Sequence, residues 1–199
     1  GCLIGAVSLL SGIVWQQRRQ LSLLQTDQIL LANKLGTVEQ QTCFDALTGL
    51  RNQHMFEAKV SMLLRGTEPF ALIYIDLDGL KTVTDRLGHP IGDQWIRRAV
   101  KAIRSAVRRR ADLDGLFRRG DAADEFWWVV EKARIDIAVQ LAEQVMTALR
   151  SVSLSASIGV TEWNGQSIQA CDQIELAAEQ QMQRAKRDGR NCVRWTPDV

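Results

Sequence analysis

The sequence predicts an α/β sandwich: a mixed central sheet flanked by helices, with a further helix at the N-terminus. Short apolar runs of strand character alternate with longer stretches of helical period. Most of these runs are joined through helices, yet one pair is separated only by a turn, and that combination of crossovers with a hairpin makes the sheet mixed.

The chain opens on residues 1–15, a run free of polar side chains apart from Ser8 and Ser11, followed by Gln16-Gln17-Arg18-Arg19. This reads as the inner end of a membrane span with its positive flank in the cytoplasm. As a helix the run rises only about 22 Å, short of a hydrocarbon core of about 30 Å, so it is a truncated span or no span at all. A signal-peptide core is the competing reading. The lack of a basic region before it and of an A-x-A site after it favours the span. Next, Leu21, Leu24, Gln28, Leu31, Leu35, Val38 and Thr42 fall at alternating steps of three and four, a heptad seam that predicts a parallel dimeric coil. One amphipathic helix lying on the domain is the alternative.

From Asp45 onward helix and strand alternate. A helix is expected over 55–64, closed by the breaker Gly66-Thr67-Glu68-Pro69. A buried strand over 70–75 then ends on Asp76. A long helix follows over 92–110, two strands over 116–130 with the turn at Asp121-Ala122-Ala123, and a helix over 135–149. A strand over 154–161, a helix over 171–186 and a closing strand over 191–195 complete the domain. Trp127 and Trp128 alternate across their strand, which places them on opposite faces as packing residues. The domain boundaries expected are 1–15 for the membrane segment, 16–43 for the coil and 44–199 for the globular part.

With 199 residues, 46% hydrophobic and 24% charged, the chain can bury a core, and it is not a disordered tail. Its net charge of +2 does not point to nucleic acid, and Arg108-Arg109-Arg110 reads as a solvated helix end. Cys2, Cys43, Cys171 and Cys192 lack C-x-x-C spacing and have only His54 and His89 to join them, which supports neither zinc nor a disulfide framework. Both histidines read as structural or surface residues.

Four separated pieces carry the chemistry. They are Asp45-Ala46-Leu47-Thr48-Gly49-Leu50-Arg51-Asn52; Asp76-Leu77-Asp78 through Lys81 to Gly88-His89-Pro90-Ile91-Gly92-Asp93; Ala122-Ala123-Asp124-Glu125-Phe126; and Ser157-Ile158-Gly159-Val160 with Ala185-Lys186-Arg187-Asp188-Gly189-Arg190-Asn191. In order and spacing, over roughly 43–196, they resemble the GGDEF family, the diguanylate cyclases that join two GTP into cyclic di-GMP. The resemblance implies a nucleotidyl-cyclase-like sandwich. Attack of a 3′-hydroxyl on an α-phosphate needs two divalent ions about 3.5–4 Å apart, held by carboxylates from adjacent strands. Asp76 and Asp124 are the metal positions by resemblance, with Glu125 assisting. Lys186 and Arg190, four apart on a helical face or at its exit, and Lys81 near Asp76 are phosphate-side cations in the family. Asp93 matches the acid that reads guanine, since a carboxylate accepts from N1 and N2 together.

Three departures oppose this chemistry. Ala122 and Ala123 stand where the family has glycines, adding a Cβ where backbone approaches nucleotide and costing about 1 kcal/mol wherever φ is positive. Thr84, eight residues after Asp76, stands in place of an Asn that reads guanine. The family's arginine position, two before the first glycine, holds Gly120, so Arg118 suggests an insertion. Arg109 and Asp112 spell the family's product-binding Arg-x-x-Asp motif at an unusual distance from the hairpin, and a plain helix C-terminus is the alternative.

The expectation is therefore a degenerate domain: membrane-tethered at the inner membrane with its globular part in the cytoplasm, dimeric through 21–42, binding a partner protein or guanine nucleotide. Asp124 and Glu125 are then vestigial as catalytic groups, and Mg²⁺ is implied only where nucleotide still binds. An active cyclase making cyclic di-GMP from GTP and a cyclic di-GMP receptor are the alternatives.

Overall fold

A computed structural model describes residues 43–107, 115–120, 124–165 and 170–196. The expected membrane segment and coil, the Arg109 and Asp112 pair, and Ala122 and Ala123 lie outside the described residues. Among the described residues no helix is long and apolar enough to cross a membrane.

The elements run α1 (Gln53–Leu63), β1 (Phe70–Leu77), α2 (Leu80–Leu87), α3 (His89–Val107), β2 (Leu116–Arg118), β3 (Glu125–Glu131), α4 (Ile135–Ser151), β4 (Ala156–Trp163), α5 (Cys171–Arg187) and β5 (Cys192–Trp195). The sheet order is β2-β3-β1-β4-β5, antiparallel except for the parallel β4–β5 pair. It is the mixed sheet that the sequence predicts.

β1 lies at the centre, and every one of its residues is buried. Its side chains alternate between two cores as strand geometry requires. Ala71, Ile73, Ile75 and Leu77 join Ile96, Ile103, Val145 and Leu149 from α3 and α4. Phe70, Leu72 and Tyr74 join Phe56, Val60, Ile174, Ala178 and Met182 from α1 and α5. Trp128 belongs to the first core and Trp127 to the second, both fully buried. The Trp127 ring stacks on Phe56 with centroids 4.2 Å apart. These rings are packing residues and offer no exposed stacking platform.

One glycine fixes how closely α5 approaches. A Cβ on Gly159 in β4 would lie 2.0 Å from the Ala178 carbonyl oxygen and 2.3 Å from the Met182 nitrogen. Only a residue without a side chain lets that helix settle on the strand, and its C-terminal end then reaches the end of β1.

The differences from the sequence reading are local. The segment after Asp76 is a separate helix, α2, which the sequence reading leaves unassigned. Its first residue follows Gly79 in the left-handed region (φ 84°), and it closes at Gly88 (φ 85°). The long helix starts at His89, with Pro90 in its first turn where a missing N–H costs nothing, and not at Gly92. The fourth strand begins at Ala156 because Ser153 takes φ 57° and closes the turn after α4.

Candidate functional site

The site forms where β1 ends and β3 begins. In register, Asp76 stands opposite Glu125 on β3 and Ser157 on β4. The Leu77 N–H donates to the Asp124 carbonyl at 3.0 Å, which keeps the two strands paired to their ends. Antiparallel pairing thus brings Asp76, Asp124 and Glu125 to one end of the sheet although 48 positions separate the first two.

Asp76 is nearly fully buried (4% exposed), and its Oδ2 accepts from the Lys186 Nζ at 2.7 Å. Burial pushes its carboxyl up to about 6 against the bond and charge of Lys186, and the charges of Asp124 and Glu125 add to the rise. Burial also raises the Asp124 carboxyl, which repulsion from Glu125 reinforces. Crowded oxygen donors held above their ordinary range are what a hard dication relieves, so Asp76 and Asp124 fit Mg²⁺ by donor chemistry. Among the described residues no three His, Cys, Asp or Glu side chains converge into a complete ligand set. Backbone, water or phosphate oxygens would have to complete the shell.

Glu125 is held by other groups. Its Oε2 accepts from the Tyr74 hydroxyl at 2.9 Å and from Arg119 at 3.0 Å, while Arg119 also donates to that hydroxyl at 2.6 Å. Glu175 on α5 lies 3.9 Å from the same guanidinium. Arg119 lies over the Trp127 ring, 5.7 Å from its centroid. The carboxylate thus faces a cation and a phenol on the α5 side of the sheet. Burial, then the charge of Glu125, raises the Tyr74 phenol far above its ordinary range, so it stays protonated, donating to Glu125 while accepting from Arg119.

A second carboxylate of the β1 end is structural. Asp78 accepts from the Ser157 hydroxyl at 2.8 Å and the Asn191 N–H at 3.0 Å. Arg150 grips Asn191 through its side-chain oxygen (3.0 Å) and its carbonyl (2.8 Å). Together these hold Arg190 (φ 64°) and Asn191 (φ 49°), two successive non-glycine residues in the left-handed region. Lys186 and Arg190 therefore do not share a helical face. The helix ends at Arg187, and Arg190 lies exposed past its exit.

On α2, Thr84 donates its hydroxyl to the Leu80 carbonyl of its own helix at 3.0 Å. The same oxygen sits 2.6 Å from where a Cβ on Gly92 would stand, so it is packed into the α2–α3 contact. Asp93 is half-buried near the start of α3, and Lys81 is exposed on α2.

Arg118 has a different task from the one the insertion suggests. Its guanidinium donates to both Asp45 oxygens at 2.8 and 2.9 Å, and its N–H to the Arg51 carbonyl at 2.8 Å. It ties the 45–52 loop to β2. The residues that the sequence reading left without roles are Tyr74, Arg119, Glu175, Asp78 and Asn191. Tyr74 carried a signal, because it shares a strand face with Asp76 two positions on. Glu175 carried none.

The comparisons with known proteins agree with this geometry. The family model "Diguanylate cyclase, GGDEF domain" matches residues 42–192. Diguanylate cyclase DgcS of Shewanella oneidensis is 31% identical over 179 residues, covering 85% of this chain and 58% of that protein. The crystal structure of the coiled coil and GGDEF domain of DgcB from Caulobacter crescentus, in complex with cyclic di-GMP, has a TM-score of 0.78 at 20% identity and covers 90% of this chain and 98% of that one. A microbial GGDEF domain solved with cyclic di-GMP has a TM-score of 0.66 at 28% identity, covering 80% of this chain and 99% of its own. The chain spans about half the length of the curated relatives it matches. From motif order, sheet topology and these matches together, the chain belongs to the GGDEF family, the family of cyclic di-GMP signalling.

Proposed function

We propose that this GGDEF domain signals without efficient cyclisation of GTP, by binding a protein partner or a guanine nucleotide. Thr84 is the observation that carries the reading. A threonine hydroxyl has one proton, and here it goes to the Leu80 carbonyl, so the position has no donor left for a guanine edge. Ala122 and Ala123, which stand in sequence where the family has glycines, support the same reading. Two further contacts support it: Lys186 holds Asp76 and Arg119 holds Glu125, so two of the three acids at the β1–β3 end already have cations. Asp76 and Asp124 are the residues that would hold Mg²⁺, which would bring charge neutralisation to bound phosphates. Lys186, Arg190 and Lys81 would meet those phosphates, and Asp93 the base. Tethering at the inner membrane through 1–15 and dimerisation through 21–42 belong to the same proposal.

The test incubates the purified chain with GTP and Mg²⁺ or Mn²⁺. The expected outcome is no cyclic di-GMP above that of an Asp124→Ala control. Product accumulating well above the control overturns the proposal and favours the second reading, an active cyclase. That reading has its own support in the closeness of Asp76, Asp124 and Lys186.

A further inference from the structure

A cavity of about 450 Å³ lies between the 45–52 loop and α3, lined by Leu47, Thr48, Arg97, Lys101, Arg104 and Ser105 over a floor that includes Val100. Arg97, Lys101 and Arg104 are spaced four and three apart, which stacks three cations along one helix face. Among the described lining residues there is no carboxylate. The nearest acid on the loop, Asp45, has both oxygens committed to Arg118. Arg97 donates through Nε to the Leu47 carbonyl at 3.5 Å, and Arg104 through one terminal nitrogen to the Gly49 carbonyl at 3.1 Å. Each guanidinium has five N–H donors, so both keep donors for a ligand while being held in place by the loop. Lys101 is exposed and, among the described residues, enters no ion pair.

We propose that this cavity is an anion site for a phosphorylated small molecule of nucleotide size, separate from the end of β1. Two clamped arginines and the exposed Lys101 match the oxygens of a di- or triphosphate, while the Thr48 and Ser105 hydroxyls donate to Asp45 and to the Ala102 carbonyl. The apolar surface of Leu47 and Val100 and the volume suit a larger ligand than an inorganic anion, since small-molecule pockets start at about 300 Å³. The site also touches the hairpin. Thr48 donates from its N–H and its hydroxyl to Asp45 Oδ1, and Asp45 holds Arg118 of β2. Occupancy therefore acts on the loop that anchors β2.

Calorimetry on the full chain, with ATP as probe and no added divalent cation, tests the site. Adenine avoids the guanine recognition proposed for Asp93. The expected result is saturable binding that weakens at least about tenfold in Lys101→Glu, where an exposed cation becomes an anion, and in Ser105→Glu. Neither change removes a loop clamp, and circular dichroism checks that both variants fold. Asp93→Ala and Lys186→Ala should leave the affinity unchanged. No heat at millimolar ATP overturns the proposal, as does binding lost in Lys186→Ala but kept in Lys101→Glu. Equal affinity for inorganic phosphate and ATP overturns the assignment to nucleotide-sized ligands. None of these outcomes depends on whether GTP is cyclised.

Discussion

The two sides of the β1 end differ in how their charges are held. On the β1–β4–α5 side, Asp76 meets Lys186 and Asp78 meets Ser157 and Asn191, so each acid is tied to an element distant in sequence. The hairpin side combines one local tie with long-range ones, Tyr74 to Glu125 among them. Arg119 closes on Glu125, six residues away, and Arg118 turns to the 45–52 loop. Of the departures from the family pattern, Thr84 lies on α2 and Ala122 and Ala123 lie in sequence between β2 and β3, and none falls at Asp76, Asp78, Ser157, Lys186 or Asn191. The comparison teaches that one half of the site is part of the scaffold and resists change, because its one ion pair joins β1 to α5 and its hydrogen bonds join the end of β1 to β4 and to the turn before β5. In the other half, Thr84 bonds only within its own helix, so its identity can change without breaking a tie between elements.

The sharpest way to break this comparison is to repair the altered half. If the β1–β4–α5 side is intact, the triple change Thr84→Asn, Ala122→Gly and Ala123→Gly should raise cyclic di-GMP formation by about a hundredfold or more over the parent protein. The repaired groups act as a set, so each single change should give far less than its share. A triple variant no more active than the parent would place the defect on the β1 side instead.

On stability, Trp127→Ala should cost about 3–5 kcal/mol in urea denaturation, because it empties the space between Phe56 and Tyr74 in the α1–α5 core. Gly159→Ala should cost about 1–3 kcal/mol by pushing α5 off β4. It should also separate Lys186 from Asp76, which a Lys186→Met, Asp76→Asn double-mutant cycle in that background would read as a reduced coupling. An unchanged coupling would mean that the lysine reaches its acid independently of helix docking.

The Asp45–Arg118 pair gives a smaller effect with a defined pH dependence. Burial alone would raise the Asp45 carboxyl, but bonds from Thr48 and Arg118 overcome it and hold it below its ordinary value of 3.8. A carboxyl depressed in the folded state stabilises the fold above the unfolded value. That contribution is fully present above about pH 4 and is lost as pH falls through the depressed value. Asp45→Asn should therefore destabilise by about 1–2 kcal/mol at pH 7 and by progressively less below pH 4. A difference that stayed constant down to pH 2 would show that packing, and not charge, holds the loop to β2.

Much of the fold was legible because its signals are periodic and local. The buried run ending at Asp76, the helix of 135–149 and the alternation of Trp127 and Trp128 follow from apolar spacing alone. α2 was not, since Leu80–Leu87 is a short, largely polar stretch that becomes a helix between two glycines in left-handed conformations. The motif pieces named the acids and cations of the site, but they gave no pairing. Nothing in the chain near Arg118 says that it will reach back 73 positions to Asp45.

The sequence by itself determined the family pattern, the two-sided burial of the central strand and the identity of the altered positions, because composition and spacing act along the chain. The tertiary structure alone decided which cation each carboxylate receives: Lys186 for Asp76, Arg119 for Glu125, Arg118 for Asp45. It also decided that the proton of Thr84 is spent inside its own helix. Those outcomes depend on strand register and on the approach of α5 at Gly159, distances of a few ångströms between residues far apart in sequence, which local spacing does not encode.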